Sequence, residues 1–314
     1  MYLMRIESVW IGRGGQGIVT AVYIVAHASI SDGLYALANP EFGAERRGAP
    51  VKAFLTLTDY FDDSPEPIKN PDVAVFLDDK LIEPMRVVVD AVRPGGYVAV
   101  SSGKSPEDVA KLVGRRDVNI AVVDGIGIAL KHVGLAVPNG PMVGVFARVM
   151  GIPRLESVKE AIASQLGKAV EQNFAAAVEA YKTAVVIPAS ETGSARASVE
   201  IPTTSAFLTG DYELVGWDKI PEGGLAFPGS SLRYKTGSWR VERPVIDHSK
   251  CIMCRRCWIY CPDDAVLEVW REAKGPRGRS VKVKSIDFDY NYCKGCGICA
   301  EVCPTGAIKM VREI

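Results

Sequence analysis

Short apolar runs alternate with longer amphipathic stretches along the first half of the chain. Ser8–Ile11, Val51–Thr58, Val73–Leu77, Tyr97–Ser101 and Asn119–Val123 are rich in β-branched and apolar residues and read as strands. Ser105-Pro106-Glu107-Asp108 places an N-cap, a Pro at the first helical position and acids in the first turn, which marks a helix start. Further helices are expected near Met142–Met150 and over Leu155–Tyr181, the second Ala-rich and broken at Gly167. Strand–helix alternation of this kind predicts an α/β fold: an open, mostly parallel sheet with flanking helices.

After Val186 the pattern changes. Residues 188–231 are rich in Ser, Thr, Gly and Pro without clear periodicity, and read as a linker that wraps surface. A compact α+β domain is expected over 232–314, leaving 1–187 as the α/β domain. The C-terminal domain contains an internal repeat. IDHSKCIMCRRCWIYCPDDAV from Ile246 aligns with FDYNYCKGCGICAEVCPTGAI from Phe288 at a constant offset of 42 residues. Between the copies, Leu267–Glu272 and Val281–Phe288 flank a polar turn and read as a β-hairpin.

Composition removes some function classes. Lys+Arg and Asp+Glu both total 37, so no overall field points towards nucleic acid. The longest apolar stretch, Ile18–Ile30, is interrupted by Thr20, His27 and Ser29 and falls short of the roughly 20 residues a membrane span needs. With no signal-peptide layout at the N-terminus, a cytoplasmic protein is expected. All eight cysteines lie between Cys251 and Cys303. In a cytosolic chain that clustering indicates metal binding rather than disulfides.

Each repeat has the spacing C-x2-C-x2-C-x3-C-P. A tight loop can turn three such sulfurs towards one corner of an iron–sulfur cube, and in two-cluster ferredoxins the fourth thiolate comes from the other motif. Cys251, Cys254, Cys257 and Cys303 are therefore expected to bind one [4Fe–4S] cluster, and Cys293, Cys296, Cys299 and Cys261 the second. Paired zinc sites fit less well, because zinc usually takes two separated cysteine pairs. Gly295 and Gly297 would let backbone amides approach the second cluster. Arg255 and Arg256, in the matching loop, either offset cluster charge, form a docking face for an external ferredoxin or are simply solvated. Trp258 and Tyr260 read as small-domain core and cluster shielding.

In the first domain, Gly12-Arg13-Gly14-Gly15-Gln16-Gly17 satisfies G-x-G-x-x-G between a strand and a helix. Gly12, Gly14, Gly15, Gln16 and Gly17 are thus candidates for binding a cofactor or an interface, although the motif alone is weak. Glu45, Arg46 and Arg47, bounded by Gly43 and Gly48, could hold a phosphate or carboxylate, cross a subunit interface or be solvated. There is no P-loop, and no residue is singled out as catalytic. His27 reads as a packed helix residue, and Asp124-Gly125 as a strand-terminating turn.

These blocks resemble a known family. GRGGQGIVTA followed by PEFGAERRGAPVKAF is similar to the gamma subunit of the 2-oxoacid:ferredoxin oxidoreductases. PGSSLRYKTGSWRVERPVID followed by the two cysteine motifs is similar to their delta subunit, so the chain resembles a gamma–delta fusion. The resemblance implies an oxidoreductase subunit whose alpha- and beta-type partner chains carry thiamine diphosphate and Mg²⁺. It also implies coenzyme A as a possible co-substrate and ferredoxin as the electron acceptor. Arg46 and Arg47 become candidates for the coenzyme A side. Pyruvate is the first expected substrate, with branched-chain oxoacids, 2-oxoglutarate or oxalate open. Two other readings stand beside it: an NAD- or FAD-dependent iron–sulfur reductase that uses Gly12–Gly17 as a dinucleotide loop, and a ferredoxin fused to a protein-binding module.

Overall fold

The computed structural model describes residues 4–41, 50–62, 68–167, 169–190, 235–274 and 280–313. They fall into two compact units, Met1–Asp211 and Tyr212–Ile314. From residue 191 onward, the expected linker lies outside the described residues.

The first unit runs β1 (Arg5–Arg13), α1 (Ile18–Ser31), β2 (Tyr35–Pro40), β3 (Pro50–Thr58), β4 (Val73–Phe76), α2 (Arg86–Ala91), β5 (Tyr97–Ser101), α3 (Pro106–Val113), β6 (Asn119–Val123), α4 (Gly125–Val133), α5 (Asn139–Met150), α6 (Leu155–Leu166), α7 (Val170–Thr183) and β7 (Val185–Ile187). The strands form one sheet in the order β2-β3-β1-β4-β5-β6-β7. β1, β4, β5 and β6 pair in parallel, joined through helices as parallel strands must be. The mostly parallel sheet expected from the sequence is in fact mixed. β3 and β2 add antiparallel beyond β1, and β7 adds antiparallel beyond β6. The departure lies at the two ends of the sheet, outside the four parallel strands.

Alternation along β1 sets the layers. Trp10 packs on one side with α1, α5, α6 and α7, its ring 5.4 Å from that of Phe146. Val9 and Ile11 point to the other side, where α2 and α3 contribute Val88, Val89, Val109 and Val113. β1 is buried from Ser8 to Arg13, so this strand is held from both faces. A central strand covered on both sides is what parallel pairing requires.

Helix ends follow local chemistry. Ser105 Oγ accepts from the Asp108 N–H at 3.2 Å and Pro106 opens α3, as the motif predicts. Gly167 ends α6 in the left-handed conformation, so the expected long helix is two helices. Asp32, which follows α1, accepts from the Arg154 N–H at 2.7 Å and from the Ser157 hydroxyl, tying α1 to the start of α6. His27 lies on the exposed face of α1, not packed as expected.

The second unit comprises β8 (Glu242–Ile246), α8 (Arg256–Ile259), β9 (Val266–Lys274), β10 (Ser280–Phe288), α9 (Ile298–Glu301) and β11 (Ile308–Arg312). β9 and β10 form the expected hairpin, and β8 pairs antiparallel with β11. Its core gathers Val266, Ile286, Phe288 and Ile308 around Cys257 and Cys299. No helix among the described residues is long and apolar enough to cross a membrane.

Candidate functional site

The two repeats of the second unit fold alike. In the first, Asp247 Oδ1 accepts from the Ser249 N–H at 3.0 Å; in the second, Asp289 Oδ1 accepts from the Asn291 N–H at 2.9 Å. These turns open the two cysteine loops. The repeats also cross. The Asp247 N–H donates to the Ala307 carbonyl at 2.7 Å, and the Asp289 N–H donates to the Ala265 carbonyl at 2.8 Å. Each motif is thereby tied to the segment that follows the last cysteine of the other.

The crossing brings the thiols together in fours. One hollow is lined by Cys251, Cys254 and Cys257 with Cys303, walled by Ile246, Ile286 and Ile308. The other is lined by Cys293, Cys296 and Cys299 with Cys261, walled by Pro244, Val266 and Phe288. In each, the cysteine on the short helix is buried (Cys257, Cys299) and the middle cysteine is exposed (Cys254, Cys296). Four sulfurs around an apolar hollow suit a cluster, which needs thiolates outside and little water within.

Backbone conformation repeats as well. Met253, Arg255 and Asp264 have φ of 55°, 59° and 49°, and the residues 42 positions on, Gly295, Gly297 and Gly306, have 65°, 81° and 59°. Gly295 also sits under β8: a Cβ there would lie 2.1 Å from the Glu242 carbonyl oxygen. A Cβ on Gly297 would meet nothing within 4 Å. Arg255 is exposed and forms an ion pair with Glu268 of β9, so it is not an unpaired basic turn. Trp258 and Tyr260 depart from expectation. They are 46% and 59% exposed rather than core, because α8 is a single turn that buries only Cys257.

In the first unit the glycine loop is stapled from inside. The Arg13 N–H donates to Gln16 Oε1 at 2.7 Å, and the buried Arg13 guanidinium pairs with Asp78 at 2.6 Å. Gly15 and Gly17 have φ of 97° and 74°. A Cβ on Gly17 would press on Asn139 Nδ2 at 2.7 Å, so this glycine serves both conformation and packing. Gly12 lies in β1, and Gly14 is half-buried beside it. The strand after α1 runs antiparallel beside β3 rather than parallel beside β1. A dinucleotide fingerprint needs the parallel βαβ arrangement, so the loop lacks its partner strand. Glu45, Arg46 and Arg47 lie outside the described residues.

The profile of the family described as pyruvate ferredoxin/flavodoxin oxidoreductase matches residues 7–183, and that of the 4Fe-4S dicluster domain matches 244–310. The first match spans more than half of the chain. The chain belongs to the pyruvate ferredoxin/flavodoxin oxidoreductase family. It is 42% identical over 186 residues to the pyruvate/ketoisovalerate oxidoreductases common subunit gamma of Thermococcus kodakarensis, covering 58% of this chain and 98% of that one. It is 47% identical over 101 residues to pyruvate synthase subunit PorD of Thermotoga maritima, covering 32% of this chain and 90% of that one. Among solved structures, pyruvate oxidoreductase subunit PORC of Thermotoga maritima superposes with a TM-score of 0.52 at 34% identity, covering 58% of this chain and 98% of that one.

The oxidoreductase-family unit also presents polar groups of which the sequence analysis singled out only Asp124. They sit just past the ends of the parallel strands, where open α/β sheets bind ligands. Ser102 Oγ donates to Asp79 at 2.7 Å, Lys104 pairs with Asp79 at 3.1 Å, and Asp124 Oδ1 caps α4 through the Gly127 N–H at 2.9 Å. Asp124 is thus a helix cap. Reading the residues that follow each strand end would have found this polar edge.

The dicluster unit's thiols differ in acidity by position. Burial pushes Cys299 up to about 12, helped by the neighbouring Cys293 and Cys296, and raises Cys257 and Cys293 as well. Burial also works to raise Cys303, but hydrogen bonds from Thr305 and from the backbone N–H groups of Thr305, Ala307 and Ile308 outweigh it and lower the group. A metal bound in either cavity would have to displace protons from these buried thiols, whereas Cys303 is shifted towards its thiolate.

Proposed function

We propose that this chain is the electron-carrying gamma–delta subunit of a 2-oxoacid:ferredoxin oxidoreductase. In this reading Cys251, Cys254, Cys257 and Cys303 hold one [4Fe–4S] cluster, and Cys293, Cys296, Cys299 and Cys261 hold the other. The observation that carries it is the pair of cavities, each lined by three thiols of one motif and the fourth of the other. The clusters supply one-electron carriers. The chain supplies thiolate ligands, apolar walls that limit water, and the Asp247–Ala307 and Asp289–Ala265 ties that hold the halves in register. The gamma-like unit contributes a scaffold with a polar strand-end edge for contact with catalytic chains. Alpha- and beta-type partners hold thiamine diphosphate and Mg²⁺, coenzyme A takes the acyl group, and ferredoxin accepts the electrons in the cytoplasm. Pyruvate is the proposed substrate, supported by the names of the relatives.

Purification of the native protein tests the reading. Co-elution with two further chains, bound thiamine diphosphate and pyruvate-dependent viologen reduction are expected, with coenzyme A required for turnover. Stoichiometric NAD or flavin on a chain that elutes without partners would overturn it.

A further inference from the structure

Among the described residues of the second unit, Arg240 is the one charged side chain that is buried, at 8% exposure. It lies between the short turn Gly237–Trp239 and β8. One edge of its guanidinium faces the second cysteine loop. Nη1 donates to the carbonyls of Gly237 at 2.9 Å, of Tyr290, and of Cys293 at 3.3 Å. The other edge faces Glu313, with Nε and Nη2 at 2.7 and 2.8 Å from its carboxylate. The Tyr290 ring lies against the guanidinium, its centroid 5.1 Å away. The charge is thus fixed behind Cys293. Stability alone is a poor account of it, since a buried ion pair adds little over apolar packing. The internal repeat supplies a control. At the 42-residue offset Arg240 falls on Lys282, exposed on β10, and Glu313 falls on Arg271. The first repeat therefore builds the same kind of cysteine loop without this buried ion pair.

We propose that Arg240 tunes the cluster held by Cys293, Cys296, Cys299 and Cys261, holding its reduction potential above the value those cysteines would give without the guanidinium. This rests on the cluster assignment proposed above. On reduction the cluster gains one electron and with it one negative charge. The electron comes from the 2-oxoacid oxidation proposed above, or from dithionite in the test, and no proton or bond changes place. A cation fixed nearby therefore stabilises the reduced state more than the oxidised one, and cluster potentials follow net charge and hydrogen bonding. Burial keeps water and salt from screening the effect. The bond to the Cys293 carbonyl also offsets the negative end of a dipole on a ligand residue. Glu313 opposes the effect but weakly, because it sits on the far edge of the guanidinium and is 23% exposed, where water screens it.

Two variants of the full chain test this, because electrostatics gives them opposite signs. Arg240→Gln removes the cation, and Glu313→Gln removes the anion that opposes it. Iron content checks that both clusters are present, and a dithionite titration followed by EPR reads their midpoints. The second cluster's signal is the one altered by Cys296→Ser. At a fixed solution potential, Arg240→Gln should lower the reduced-to-oxidised ratio of the second cluster about tenfold, a shift of about 59 mV for one electron. Glu313→Gln should raise that ratio, and the first cluster's midpoint should hold in both. Unmoved potentials, shifts in the same direction, or an equal shift in the first cluster would each overturn the proposal. If Arg240→Gln loses its iron, Glu313→Gln decides alone, and the lack of an upward shift overturns it. A wild-type chain without two [4Fe–4S] signals would sink the cluster assignment instead, which is a distinguishable result.

Discussion

Substituting Gly295 and Gly297 in parallel separates two demands that glycine meets in the second cysteine loop. Both have positive φ, 65° and 81°, where any other residue costs about 1–2 kcal/mol. They differ in surroundings. A Cβ on Gly297 enters open space, whereas one on Gly295 would lie 2.1 Å from the Glu242 carbonyl oxygen and 2.7 Å from the Arg240 Cβ. Real contacts of this kind rarely fall below 3.0 Å, so β8 must retreat from the loop. Such overpacking typically adds about 1–3 kcal/mol, giving a total of about 2–5 kcal/mol for Gly295→Ala against about 1–2 for Gly297→Ala. β8 pairs with β11, which follows Cys303, so its displacement reaches both cavities. Iron per chain and the EPR spectrum after dithionite reduction are the assay, since cluster proteins do not unfold in two states and a single melting temperature is ambiguous. Gly297→Ala should retain full iron and both signals, while Gly295→Ala should lose iron first from the cavity lined by Cys293. Full iron and unaltered spectra in Gly295→Ala would refute the argument that β8 presses on this loop.

Cys303→Ala should damage the cluster held by Cys251, Cys254 and Cys257 and spare the signal of the cavity lined by its sequence neighbours; resolved EPR signals check this, and loss confined to the Cys293 cluster would contradict crossed ligation. Asp32→Asn should cost the first unit about 1–2 kcal/mol at neutral pH, because it removes the charge and replaces one of the two oxygens that accept from Arg154 and Ser157 by an NH2 donor, measured by guanidinium unfolding. Burial acts to raise the Asp32 carboxyl, but the hydrogen bonds from Ser157 and Arg154 prevail and hold it below its ordinary 3.8. A depressed carboxylate pKa means that its stabilisation is complete above the unfolded value and disappears as pH falls through the folded one, so the gap between variant and wild type should close in acid. A gap independent of pH would point to packing rather than charge.

The sequence was most legible where a residue type has one physical use. Eight cysteines in two spaced sets announced two metal centres, and the constant offset announced two similar halves. Ser105-Pro106 and Gly167 marked helix ends because capping and positive φ act over a few residues. The sheet edges were less legible. β2 is a short strand of alternating exposure, and its antiparallel pairing with β3 depends on contacts that no local pattern encodes. The glycine loop alone left a dinucleotide reading open beside the family one, because its turn and helix suit either and the deciding feature is the strand order around β1. Trp258 and Tyr260 were assigned to the core on hydrophobicity, although a one-turn helix has only one face to bury.

The two repeats carry the same backbone with opposite solutions to strain. The second places glycine at all three left-handed positions, whereas the first places Met253, Arg255 and Asp264 there. Each of those side chains costs about 1–2 kcal/mol in conformation, so an unused side chain would be a net loss. Met253 offsets the cost by packing against the core that contains Cys257, and Arg255 by its ion pair with Glu268, which ties the loop to β9. The first loop is therefore held by side chains at positions where the second has none. The second loop, with glycines at those positions, brings Cys296 to the surface without such bracing.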